Sequence, residues 1–128
     1  PLTTVVMNSV SEERVGTASG VNNAVARVAS VLAIAILGIV MVKAFSIRLD
    51  YSLAHLSLPA GVLQELKANA IKLAGLPIPS ELAPSMKAAV GKSIGEAFVF
   101  GFRVVIWICA GFSLASTAVA WLMIPKVR

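Results

Sequence analysis

Between Arg103 and Lys126 the chain runs for 22 residues, VVIWICAGFSLASTAVAWLMIP, without a charge. As an α-helix that run is about 33 Å long, enough to cross a hydrocarbon core of about 30 Å. In water it would need protein packed around it on every side. A second block, Val15 to Val42, carries one charge, Arg27, and its latter part, VASVLAIAILGIVMV, carries none. β-Branched residues are frequent in both blocks, yet the lengths suit helices and not strands. Composition agrees, with 58% hydrophobic and 13% charged residues and a mean hydropathy of +0.89. A soluble domain has about 45–50% and about 25%. That balance excludes disorder, and a single cysteine, Cys109, excludes an intramolecular disulfide framework. The sequence therefore predicts an all-α membrane protein, two transmembrane helices joined by a loop that holds short amphipathic helices. A soluble helical protein with a buried core is the competing reading.

Charge and helix signals set the expected boundaries. Residues 1–10, PLTTVVMNSV, are apolar but too short to span, and read as the end of a preceding transmembrane helix. Ser11 followed by Glu12 and Glu13 is a helix start, a hydroxyl N-cap with acids opposing the positive helix end. The helix it opens is expected over 11–45. The loop is expected over 46–92, the final transmembrane helix over 93–125, and a cytoplasmic end over 126–128. An apolar segment that begins abruptly at Pro1, with no signal pattern, reads as the C-terminal part of a larger membrane protein. A small two-span anchor or assembly protein without transport activity of its own is the alternative.

The middle section is made of different material. It holds Pro59, Pro77, Pro79 and Pro84 and about half of the charges. Leu49, Leu53 and Leu56 recur at helical spacing, as do Leu63, Leu66, Ala70 and Leu73 in a segment that Gly75 and Pro77 should terminate. Near 85–97, Met86, Val90 and Ala97 share a side, and Lys92 and Glu96 form an i,i+4 pair. Such a stretch of about 50 residues is too small for a core of its own, so its helices are expected at the membrane surface.

Little in the chain points to catalysis, and no enzyme activity, cofactor or metal is expected. His55 has no cysteine or carboxylate at ligand spacing, and Cys109 inside a span is expected to pack as a small apolar residue. The net charge of +5 is spread over the loop and helix ends and forms no stripe. Lipid headgroups account for it better than nucleic acid. Arg103 at the start of the last span, with Trp107 and Trp121 towards its two ends, is expected to anchor the helix at the interfaces. Gly16 and Gly20, a GxxxG pair, and Gly111 are expected helix-packing positions, as is the weakly polar face of Ser113, Ser116, Thr117 and Ala120.

One constellation stands apart: Ser19, Asn22, Asn23 and Arg27 within GTASGVNNAVAR. A charge well inside a span costs several kcal/mol unless it faces protein or water. The face either borders a translocation pathway or a moving interface, or it locks a bundle through Arg27 on another helix's carbonyls or carboxylate. Both readings stay open.

These residues carry a resemblance. ERVGTASGVNNAVARVASVLAIAILG resembles the penultimate helix of major facilitator superfamily transporters in the fourteen-helix drug:proton antiporter branch. There an acid–Arg pair precedes Gly-x-Ala-Ser-Gly-x-Asn-Asn and a following Arg. The likeness continues through LPAGVLQELKANA and LAGLPIPSEL to EAFVFGFRVVIWICAGFSLASTAVAWLMIP, so it covers essentially the whole chain. Ser30 departs from it, standing where many relatives carry glycine. The resemblance implies the last two helices of a major facilitator bundle in a multi-pass protein of the bacterial cytoplasmic (inner) membrane. It implies multidrug efflux, amphipathic small molecules leaving in exchange for protons by alternating access. The implied partners are the other helices of the transporter, membrane lipid, substrate and protons. None of Glu12, Glu13, Asp50, Glu65, Glu81 or Glu96 falls inside an apolar span, so the coupling acids are expected elsewhere.

The resemblance also implies an external loop, against the charge count. Lys43, Arg48, Lys67, Lys72, Lys87, Lys92 and Arg103 lie on the loop side, and Arg14, Lys126 and Arg128 on the other. The positive-inside rule weakens for loops of this length, and the resemblance sets the expected topology.

Overall fold

The structure, a computed structural model, describes residues 14–123. They form α1 (Val15–Leu53), α2 (Ala60–Ala68), a 3₁₀ segment (Ala70–Gly75) and α3 (Pro84–Met123). Among the described residues the chain is all-helical, and α1 and α3 are each long and apolar enough to cross a membrane. The expected segment 1–10, the Ser11–Glu12–Glu13 start and the end at 126–128 lie outside the described residues.

Both long helices reach further than their apolar blocks. α1 continues past Phe45 to Leu53, and α3 begins at Pro84, ahead of the expected start near Ser93. Nothing between Lys43 and Leu53 breaks a helix, and charges such as Lys43 and Arg48 end an apolar block without ending a helix. Pro84 sits at the helix start, where its missing N–H costs nothing, and the Ala83 carbonyl accepts the Lys87 N–H at 2.9 Å. At about 1.5 Å per residue each helix is roughly 60 Å long, about twice a hydrocarbon core.

The described residues divide into two compact units at the Leu37–Gly38 junction. In the first, α1 presents its apolar side chains outward, Ile34 being 74% exposed. The second contains a small core. Phe45, Leu49 and Leu53 from α1, Leu66 from α2, Ala70 from the 3₁₀ segment, Leu76, and Val90, Ile94 and Ala97 from α3 are all buried together. Each long helix contributes residues three or four apart, the spacing that lines up one face. The middle section therefore does more than lie on a surface. The extended ends of α1 and α3 supply the apolar area that the 54–83 connection lacks.

At Gly101 the two long helices approach closely. A methyl group there would lie 3.0 Å from Met41 Sδ and 3.2 Å from the Met41 carbonyl oxygen. Between α1 and α3, α2 ends at Asn69, whose backbone N–H and side-chain Nδ2 both donate to the Glu65 carbonyl. The predicted helix through Leu73 is broken there. Leu73 adopts φ 52° and ψ −124°, a region that favours glycine, so the helical spacing of Leu63, Leu66 and Ala70 ends in a kinked turn. Leu73 nevertheless packs against the core.

Candidate functional site

α1 carries the polar constellation in one continuous helix. Ser19, Asn23 and Arg27 follow one another at intervals of four and share a face, with Asn22 beside them. Ser19 is half-buried, and Asn22, Asn23 and Arg27 are exposed. Ser30, on the same side, donates its hydroxyl to the Ala26 carbonyl at 2.8 Å, so its polarity is spent within the helix. One turn round, Ala24, Val25, Val28, Ala29 and Leu32 form a shallow apolar notch. A polar line and an apolar notch thus lie side by side on the part of α1 that precedes Lys43.

The expected packing positions fare differently from one another. A methyl group at Gly16, Gly20 or Gly111 would meet open space, so any helix they receive lies outside the described residues. Thr117 donates to the Ser113 carbonyl at 2.9 Å, which leaves that face of α3 less polar than its composition. Trp107 and Trp121 are each 77% exposed, and Cys109 is a free, exposed thiol. His55 is also exposed and stands edge-on to Tyr51, ring centroids 5.2 Å apart. Among the described residues no group of three His, Cys, Asp or Glu side chains converges as a metal would require.

In the second unit the fold assembles bases that sequence spacing had scattered. Arg48 of α1 and Lys92 and Arg103 of α3 line one open groove of about 580 Å³, together with Gly95, Glu96, Val99 and Phe100. Residues 92, 96, 99/100 and 103 repeat at three and four, one stripe of α3. The Arg48 guanidinium lies 5.5 Å from the Tyr51 ring centroid and 5.9 Å from that of Phe100, within cation–π range of both. Lys92 Nζ stands 3.9 Å from Glu96 Oε1, a loose pair that leaves the groove with more positive than negative charge. Arg103, expected as an interfacial anchor, is exposed at one end of this groove. The sequence contained only one hint of it, the α3 stripe. Its α1 partner is 44 positions from Lys92 in the chain, and no local pattern joins the two.

These features define an all-helical protein with two helices able to cross a membrane and a small core joining their extended ends. No family model, curated protein or solved structure matches the chain.

Proposed function

We propose that the chain supplies two membrane-spanning helices to a secondary active transporter that exports amphipathic small molecules in exchange for protons. The observation that carries this reading is the line Ser19–Asn23–Arg27 on a helix whose large apolar side chains are exposed. Side chains such as Val21, Ile34 and Ile39, each more than half exposed, need lipid or further helices around them. A polar line among them needs a neighbour that is not lipid. The resemblance of ERVGTASGVNNAVAR to the penultimate helix of major facilitator antiporters gives that neighbour a character, the opposing face of an alternating-access bundle.

Helical rise refines where the line acts. Counted from Lys43, which closes the uncharged block, Arg27 lies about 24 Å along α1, within the last third of an about 30 Å core. Asn22 and Asn23 then fall at the far interface. Arg27 is then the member of the line inside the core, near one end of it, so in this reading the line belongs to the mouth of a pathway and not to its middle. Among the described residues no acid falls inside an apolar block, so in this reading proton exchange belongs to carboxylates on other helices.

The test uses the intact protein in cells that lack their own efflux systems. Arg27→Ala is expected to lower drug resistance and proton-driven uptake into everted vesicles, with Lys72→Ala unchanged at equal expression. Equal transport by the two variants would remove the role given to Arg27, and a protein that assembles in the membrane and moves no solute would return the chain to the class of two-span anchors.

A further inference from the structure

We propose that the groove between the loop-side ends of α1 and α3 is a binding site for the headgroup of an anionic phospholipid, held through its phosphate by Arg48 and Arg103. The inference rests on the reading that α1 and α3 cross a membrane.

Three observations converge. The first is charge: Arg48, Lys92 and Arg103 face one groove with a single carboxylate, Glu96, which already has Lys92 beside it at 3.9 Å. Guanidinium groups pair phosphate oxygens through two parallel N–H bonds. The second is preorganisation. The Arg48 guanidinium lies over both the Tyr51 and the Phe100 ring, and two such contacts restrict the side chain and reduce the entropy lost on binding. The third is position. Arg103 is the last charge before the 22-residue uncharged run, so the groove ends where a lipid phosphate would lie. Val99 and Phe100 form its apolar wall, and Ile106, 50% exposed, continues on α3 towards the acyl region. A soluble anion would use the charges and ignore that wall. A phospholipid uses both, and a basic pocket between membrane helices is a known form of headgroup recognition.

The site also has a structural consequence. Its bases come from both long helices, and it lies beside the Met41–Gly101 contact. An occupied groove would draw Arg48 and Arg103 onto one phosphate and fasten the two helices at that level.

The intact protein, purified in a neutral detergent, is heated with added phosphatidylglycerol, phosphatidylcholine or inorganic phosphate, and its melting is followed by size-exclusion chromatography. Phosphatidylglycerol well above its dissociation constant is expected to raise the midpoint by about 5 °C, and phosphatidylcholine by much less. Salt should reduce the difference. Arg103→Gln should weaken the response, and the triple variant Arg48→Gln/Lys92→Gln/Arg103→Gln should abolish it. Arg103 is exposed and outside the core, which keeps the single variant informative if the triple variant does not fold. Lys72→Gln, a base outside the groove, should respond like the wild type. Equal shifts from both lipids, an equal shift from inorganic phosphate alone, or an equal loss in Lys72→Gln would each overturn the proposal. Alkaline extraction of the same membranes separates the two layers of inference. A chain that stays in the pellet but shows no lipid preference refutes the groove alone, whereas a chain released to the supernatant refutes the spanning helices as well.

Discussion

Gly101 offers the sharpest test of how the second unit is held together. Replacing a helical glycine by alanine ordinarily gains up to about 1 kcal/mol, because alanine loses less backbone entropy on folding. At Gly101 the new methyl would stand 3.0 Å from Met41 Sδ, 3.4 Å from Met41 Cε and 3.2 Å from the Met41 carbonyl oxygen. The thioether can swing aside, but the carbonyl belongs to the backbone of α1 and moves only with the helix. Overpacking of this kind costs about 1–3 kcal/mol, so the propensity gain is cancelled or exceeded and Gly101→Ala is expected to be destabilising by up to about 2 kcal/mol. Gly111→Ala, on the same helix and facing open space, should show only the gain or no change. The two variants should therefore melt several degrees apart in detergent. A double-mutant cycle locates the cause. Met41→Ala removes the sulfur and terminal methyl but leaves the carbonyl, so Gly101→Ala should cost less in that background, with a coupling of about 0.5 kcal/mol or more. Gly101→Ala melting at or above Gly111→Ala, with no coupling to Met41, would show that α1 and α3 do not meet here.

Further outcomes follow from the core, the kinked turn and the surface. Leu66→Ala, at a site 1% exposed, should destabilise the second unit by about 2–5 kcal/mol, read as protease sensitivity of the 54–83 connection at temperatures where the wild type resists. Leu73→Gly should be tolerated better than Leu73→Ala, since both lose the same core contact and only glycine relieves a φ of 52°; the reverse order in thermal melting would contradict the kink. Asp50→Asn breaks the pair with Lys67 at 3.2 Å, but both side chains are 48% exposed, so the loss should stay within about 1 kcal/mol and shrink with salt. Gly20→Leu is expected to impair expression or transport of the intact protein, although a side chain there meets open space within this chain; normal behaviour of that variant would count against a helix docking on the α1 notch.

What the sequence alone determined is local in origin. An uncharged run of 22 residues has to be a spanning helix or a fully enclosed one, and repeats of three and four put Leu49 with Leu53, Leu66 with Ala70, and Val90 with Ala97 on shared helix faces; all six are buried in a core, where the sequence pointed only to faces at the membrane surface. Helix identity and buried faces depend on spacing along the chain, and spacing is written in the sequence. The polar line of Ser19, Asn22, Asn23 and Arg27 was legible for the same reason. Helix ends were less so, because a change in polarity at Lys43 or Ser93 marks a change of solvent and not a break in hydrogen bonding. What only the tertiary structure decided concerns pairs of distant residues. GxxxG spacing drew attention to Gly16 and Gly20, yet the glycine that admits a neighbouring backbone within the chain is Gly101, since its partner Met41 is set by where two helices cross. The bases that looked scattered became one groove because the same crossing brings Arg48 to the stripe of Lys92 and Arg103. Crossing geometry follows from packing of whole faces, and no single stretch of sequence contains it.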